Sequence, residues 1–163
     1  MSIANNVTRL LDSRKVKYTT YELPAEKLGA LETARLLNVE AGAVFKTIVV
    51  IRDKPKKPLL VVVPGNSTVD LKSLAAALNE KKVFLPTERE AEELTGLQAG
   101  GISPLALIHK GFQVVIDSSA QDYEALHISG GQRGLNIKLP VVDLVKLTNA
   151  RFAKVSQWVS APE

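Results

Sequence analysis

Two runs of aliphatic and β-branched residues, 44–51 and 59–63, restrict the fold of this chain more than any other feature. Runs of that length and composition are the strongest strand signals available to a sequence, and only a short, basic, proline-containing stretch separates them. They are expected to pair as an antiparallel hairpin. The first run also carries a charge in an unusual place. Alternation along a strand sets Lys46 on the same face as Val44, Ile48 and Val50, so an amine is lodged among apolar neighbours. One explanation is a lysine that guards a sheet edge or reaches past its neighbours to water. The other is a cleft lysine that binds a phosphate or carboxylate, or stabilises negative charge on a carbonyl oxygen.

Around this hairpin the pattern alternates between helix and strand. Ile3, Val7, Leu10 and Leu11 recur at helical spacing and predict a helix over 2–15, followed by a strand over 16–23 and a short helix over 31–37. After a break at Pro64, Gly65 and Asn66, Asp70 is placed to cap a helix over 71–78. A brief strand over 83–85 follows, and Thr87 with Glu90 has the spacing of a capping box, for a helix ending near Gly96. Strands are expected over 113–117, 125–129 and 135–139. Pro140 then suits the start of a helix over 141–147 that Asn149 can end, before a last strand over 152–155. Residues from Ser156 onward show no strong pattern. The organisation read from this is one domain over 1–157 with a tail over 158–163, Trp158 being a docking anchor or a frayed end. Helices and strands are interspersed without strict β-α-β alternation, which indicates an α+β fold: a mixed sheet with helices packed outside it.

With 163 residues the chain has the size of a single domain that buries a real core without a disulfide or metal staple. It has no cysteine, which excludes a thiolate nucleophile, a cysteine-ligated zinc and an iron-sulfur cluster. The opening residues lack the basic and apolar segments of a secretory leader, and no stretch is long enough to span a bilayer. A cytoplasmic protein with no membrane partner is expected. The net charge is +4, and the whole surplus lies in the first 80 residues, where 12 basic residues face 8 acidic ones. Much of it comes from the turn over 52–58, read either as a solvated hairpin tip or as a salt-sensitive contact with a phosphate backbone.

Two glycine clusters supply the second clue. Residues 99–104 (Ala-Gly-Gly-Ile-Ser-Pro) and 129–134 (Ser-Gly-Gly-Gln-Arg-Gly) each offer backbone that can approach a ligand closely and direct N–H groups at an oxyanion or phosphate, although ordinary hairpin turns would use the same residues. Neither is a Walker loop, and no GxGxxG or GxSxG occurs. The two histidines, His109 and His127, belong to no metal-binding motif and read as structural. The carboxylates Glu88, Glu90, Glu92 and Glu93 crowd one short helix and form a solvated face. Eight aromatic residues in all are too few for the stacking platform of a single-stranded RNA binder.

Taken together, Val-Phe-Lys-Thr at 44–47, Gly-Gly-Ile-Ser-Pro at 100–104 and Ser-Gly-Gly-Gln-Arg-Gly at 129–134 resemble, in order and spacing, the YbaK family. This is the free-standing branch of the editing-domain superfamily of bacterial prolyl-tRNA synthetase. The resemblance extends from the first helix to about Val155 and implies a curved mixed sheet. It also implies an aminoacyl-tRNA deacylase acting in trans on the ester of a mischarged tRNA(Pro), with Cys-tRNA(Pro) first and Ala-tRNA(Pro) as the alternative. A non-catalytic tRNA- or nucleotide-binding module of the same fold, or a small-molecule phosphate site, would use the same residues.

On this resemblance Lys46, Gly100 and Gly101 are expected to carry the chemistry. Tyr21, Thr47, Ile102, Ser103, Pro104, Ser129, Gly130, Gly131, Arg133 and Asn136 are expected to bind the substrate. One position departs from the pattern: Asn136 stands where related sequences often carry an aspartate, and an amide hydrogen-bonds but is no base. No cofactor or metal is expected. The expected partners are the 3′ end of an aminoacyl-tRNA and, transiently, prolyl-tRNA synthetase, which would supply selectivity for the tRNA body; DNA is not expected. Backbone N–H groups at residues 100–102, with Lys46 nearby, would form the oxyanion site, because an activated ester needs orientation more than a strong nucleophile.

Overall fold

The computed structural model describes residues 3–53 and 56–158. The hairpin forms as expected. Strand β2 (Phe45–Arg52) runs antiparallel to β3 (Leu59–Pro64), in register from Phe45 opposite Pro64 to Val50 opposite Leu59. All six residues of β3 are buried. The reason is its position: β2 lies on one side, β6 (Gln113–Asp117) runs parallel on the other, and apolar cores cover both faces, so an unbroken aliphatic run replaces alternation. Beyond β6 lies β9 (Arg151–Ala153), also parallel, while β5 (Val83–Phe84) pairs with the far end of β2 at Ile51 and Arg52. The resulting mixed sheet has the order β5-β2-β3-β6-β9.

A second, antiparallel sheet has the order β1-β8-β7, from β1 (Thr19–Glu22), β7 (Ala125–Ser129) and β8 (Leu135–Pro140). A single parallel bridge between Val44 and His127 joins it to the start of β2, so the two sheets behave as one curved surface. One face of this surface holds Phe45, Val49, Val62, Ile116, Ile128 and Ile137. Helix α1 (Asn6–Ser13) packs there through Val7 and Leu11, and α5 (Val141–Thr148) through Leu144. The opposite face of the larger sheet carries Val50, Val61, Val63 and Val115 under Leu74 and Ala75 of α3 (Leu71–Ala77). Each fully buried Val, Leu or Ile adds about 1.5–3 kcal/mol relative to exposure, so β3 with its two coverings is the stabilising centre.

Local chemistry explains the helix limits. α1 is shorter than the 2–15 its periodicity suggests, because Asn5 and Thr8 form a reciprocal cap at 3.0 and 2.8 Å that sets its start, and Lys15 leaves the helix with φ 57°. Thr87 and Glu90 form the expected capping box of α4 (Glu88–Thr95), and Gly96 ends that helix with φ 75°. The remaining helix, α2 (Ala30–Leu37), ends at Asn38 in the left-handed region.

Two strands depart from the sequence reading. After the break at residues 64–66 the chain turns straight into β4 (Ser67–Val69), and β10 (Ser156–Trp158) pairs antiparallel with it, Trp158 opposite Ser67. Trp158 therefore lies in a strand and not in a tail, although it stays 69% exposed; residues 159–163 lie outside the described residues. The buried Asp117 carboxylate holds this closure together by accepting the Val155 and Ser156 N–H groups, both at 3.0 Å. No local pattern encodes a pairing across nearly ninety residues.

The basic turn is tied to the body. The largely buried Glu80 carboxylate receives Lys56 at 2.8 Å and Arg52 at 3.6 Å, and the Lys57 amine donates to the Lys110 carbonyl at 2.8 Å. Lys54 and Pro55 of that turn lie outside the described residues.

Candidate active site

Two strands share the outer edge of β2. β7 meets it at Val44 and β5 meets it at Ile51 and Arg52, so the stretch between has no strand neighbour on that side among the described residues. A cavity of about 440 Å³ opens in this gap. Its floor is the stretch from Val44 to Val49. Its walls come from the loop after β5 (Leu85, Pro86, Thr87), the chain before α2, and the two glycine loops.

Register explains which side chains meet there. Val44 and His127 are bridged in parallel, so Lys46 and Ser129, each two residues further along its chain, present their side chains on the same side as that pair. Ser129 lies opposite Asn136 in the β7–β8 ladder, and Asn136 lies opposite Tyr21 in the β8–β1 ladder. Lys46, Ser129, Asn136 and Tyr21 thus share the face turned away from the α1 and α5 core, the last three in one transverse row, because paired residues present side chains on the same side. The first three line the cavity; Tyr21 ends the row, its ring 5.3 Å from that of His127.

Lys46 is half-buried, and burial pushes its pKa below the ordinary lysine value. Among the described residues it forms no ion pair. A cation held in partly apolar surroundings without a counter-charge favours an anionic or strongly polarised oxygen on a ligand. Asn136 is buried, and its Oδ1 stands 2.9 Å from His127 Nδ1. Burial pushes the His127 pKa down and Lys138 adds to that, against an upward pull from the Asn136 hydrogen bond.

The glycine loops meet each other as well as the cavity. A Cβ on Gly101 would stand 2.9 Å from the Gln132 backbone, and Arg133 Nε donates to the Ala99 carbonyl at 2.7 Å, so the second loop lies against the first. Gly100 and Ile102 line the cavity, but Gly101 does not, and its N–H donates to the Gln98 carbonyl at 2.8 Å. The expected oxyanion donors therefore narrow to Gly100 and Ile102. Likewise Gly130 N–H is used by Leu135 O and Gly131 N–H by Ser129 Oγ. A Cβ on Gly130 would lie 2.5 Å from Leu135 Cγ, so that glycine serves close packing. Ser103 is fully buried and caps the turn Pro104–Ala106 by accepting the Leu105 N–H, with Pro104 buried beside it. Of the residues expected at the site, Lys46, Thr47, Gly100, Ile102, Ser129 and Asn136 line the cavity, while Gly101, Ser103, Pro104, Gly130, Gly131 and Arg133 build its supports.

Two features escaped the sequence reading. His127, read as structural, contacts Asn136; its place two residues before Ser129 in a strand put both on one face, which was the available signal. At the cavity mouth Lys27 forms an ion pair with Glu88, the first residue of α4, both about half exposed. They are 61 positions apart, and no motif links them.

The chain belongs to the aminoacyl-tRNA editing family: residues 25–147 match the family's sequence profile, described as "Aminoacyl-tRNA editing domain". Among individual relatives, a protein of Enterococcus faecalis provisionally named Cys-tRNA(Pro)/Cys-tRNA(Cys) deacylase EbsC is 37% identical over 153 residues, covering 93% of this chain and 92% of its own. The crystal structure of a hypothetical protein superposes with a TM-score of 0.85 at 25% identity, over 94% of this chain and all of that one. A protein crystallised as a candidate trans-editing enzyme for prolyl-tRNA synthetase gives 0.77 at 25% identity, over 96% of this chain and 99% of its own.

Proposed function

We propose that this protein is a deacylase acting in trans on mischarged tRNA(Pro), with Cys-tRNA(Pro) as its main substrate. The observation that carries the reading is the half-buried Lys46, without an ion pair among the described residues, on the floor of a small cavity that Ser129 and Asn136 also line. The cavity suits the ester end of an aminoacyl-tRNA: most of its lining is apolar, and the amine of Lys46 stands on its floor. Lys46 with the backbone N–H groups of Gly100 and Ile102 would stabilise the negative charge that develops on the ester carbonyl oxygen. The terminal adenosine would lie toward Lys27 at the mouth.

The lining contains no cysteine, histidine or serine–histidine pair placed as a nucleophile. For a cysteinyl ester none is required. The substrate thiol attacks its own carbonyl, the C–S bond forms as the C–O bond to ribose breaks, and the thiol proton ends on the ribose hydroxyl. The products are a cyclic thiolactone and free tRNA. Alanine has no such internal nucleophile, so its removal would need water. The names borne by the relatives point the same way, and contact with prolyl-tRNA synthetase would provide selection of the tRNA body. Of the described helices, none is long and apolar enough to cross a membrane.

The test is release of labelled amino acid from Cys-tRNA(Pro), Ala-tRNA(Pro) and Pro-tRNA(Pro), by wild type and by Lys46→Ala in parallel. Loss of the cysteinyl species alone, and only with wild type, supports the proposal. Loss of Ala-tRNA(Pro) instead reassigns the amino acid. No hydrolysis by folded protein overturns it in favour of a binding module.

A further inference from the structure

We infer that His127 is a positioning residue that fixes the amide of Asn136, so that the cleft presents an N–H donor at this position in place of an acceptor. The two side chains are diagonal neighbours on paired strands: His127 lies opposite Lys138 and Asn136 opposite Ser129, one step apart on the same face. His127 Nδ1 lies 2.9 Å from Asn136 Oδ1, and both side chains are buried. An amide oxygen has no hydrogen to give, so the proton of this contact sits on Nδ1 and Oδ1 accepts it. Rotating the amide by 180° would require the ring proton to sit on Nε2, so that Nδ2–H could donate to a bare Nδ1; the orientation of the amide and the tautomer of His127 are therefore one and the same choice.

The consequence falls on the far side of the amide. With Oδ1 on His127, Nδ2 is left without a protein acceptor among the described residues, and Asn136 lines the cavity, so this N–H is the end of the amide open to a ligand. An unrestrained asparagine could offer either end to a ligand; this one offers N–H. The polar wall at this point therefore recognises an acceptor on the substrate, such as the ester or ribose oxygen, and does not attract the α-ammonium as a carboxylate would. His127 also carries the bridge to Val44, two residues before Lys46, so one residue sets the height of the lysine through its backbone and the polarity of the amide through its ring. This rests on the reading of the cleft as the ester site.

The test compares His127→Leu, His127→Asn, Asn136→Ala and the double variant His127→Leu/Asn136→Ala, with thermal unfolding as a check on folding. An asparagine at 127 can place its amide N–H near the position of Nδ1, whereas leucine cannot. The expected result is a loss of about tenfold in kcat/KM for His127→Leu, recovery to within about threefold for His127→Asn, and no further loss when His127→Leu is added to Asn136→Ala. Wild-type kinetics for His127→Leu, or full additivity in the double variant, would overturn the inference. A second measurement stands apart from catalysis and from the folding of variants: the imidazole nitrogen shifts of His127 in wild type, observed by nuclear magnetic resonance at pH 7.5. Protonated Nδ1 supports the inference, and a neutral ring protonated only on Nε2 overturns it. If wild type hydrolyses no aminoacyl-tRNA, the proposed function fails, and the nitrogen shifts still decide the orientation of the amide.

Discussion

Gly101 and Gln132 meet without space for another atom: a Cβ at Gly101 would lie 2.9 Å from both Cα and the carbonyl carbon of Gln132. The two loops that frame the cavity are therefore one unit, with Arg133 fastened to Ala99 alongside. The glycine at 101 is required by its neighbour and not by its own backbone, since it is not among the positive-φ residues. Gly101→Ala should cost about 1–3 kcal/mol by overpacking and should lower deacylation by displacing Gly100 and Ile102. Gly96 is the contrast, with φ 75° and nothing within 4 Å of a Cβ. Gly96→Ala should cost about 1–2 kcal/mol through backbone strain alone and leave kcat unchanged. Unfolding curves and turnover, measured on both variants, separate the two effects.

Lys46→Ala should lower kcat/KM by about 100-fold or more, the scale on which a lost oxyanion donor is felt, while the protein stays folded. Removing a half-buried amine that lacks a counter-charge should leave the melting temperature equal or slightly higher, because burial already disfavours the charged form. Lys46→Arg keeps the charge but changes its reach and should restore less than a tenth of the activity. Turnover of Cys-tRNA(Pro) at saturating and limiting concentration reads these outcomes; unchanged kinetics for Lys46→Ala would remove the lysine from the mechanism.

Asp117 should govern the acid limb of stability. Burial pushes its carboxyl pKa up, but hydrogen bonds from Ser119, Val155 and Ser156 outweigh that and hold it below the ordinary aspartate value. A depressed folded pKa means that the contribution is complete above the unfolded value of about 3.9 and disappears as pH falls through the folded one. Asp117→Asn should cost about 1–3 kcal/mol at pH 7 and flatten the fall of melting temperature below about pH 4. Equal slopes for wild type and variant would show that other carboxylates set the limb.

The pair at the cavity mouth should affect substrate binding and not stability. Lys27 and Glu88 are both about half exposed, and exposed pairs contribute about 0–1 kcal/mol. Glu88→Gln releases Lys27 for a tRNA phosphate and should lower KM about two- to fivefold at low salt, with the advantage shrinking as salt is raised. Lys27→Ala should raise KM with little change in kcat. A kcat effect from either substitution would move the pair into the chemical step.

Much of this protein could be read from residues close together in the chain. The β2–β3 hairpin, the Asp70 and Thr87 caps, the strands at 113–117 and 125–129, and the left-handed ends at Gly96 and Asn149 rest on periodicity and turn chemistry that act over a few residues. The isolation of Lys46 among apolar neighbours was visible for the same reason, since alternation is local. The β4–β10 pair was not visible, because three-residue strands have no pattern of their own and are held by distant partners, with Asp117 accepting the Val155 and Ser156 N–H groups and the Asp70 N–H donating to the Val155 carbonyl.

The amino-acid sequence alone determined which residues face together along each element, and so which side chains were available to the site: the lysine of β2, the serine of β7, the asparagine of β8. The tertiary structure decided how those elements lie across one another. The Val44–His127 bridge joins the strand of Lys46 to the strand of Ser129, the split edge of β2 opens the cavity that both line, and the contact between Gly101 and Gln132 fastens its frame. The physical reason is range. Alternation and capping are set by neighbours within one or two turns of chain, whereas the level of one strand against another is fixed only when distant segments bury their apolar faces together.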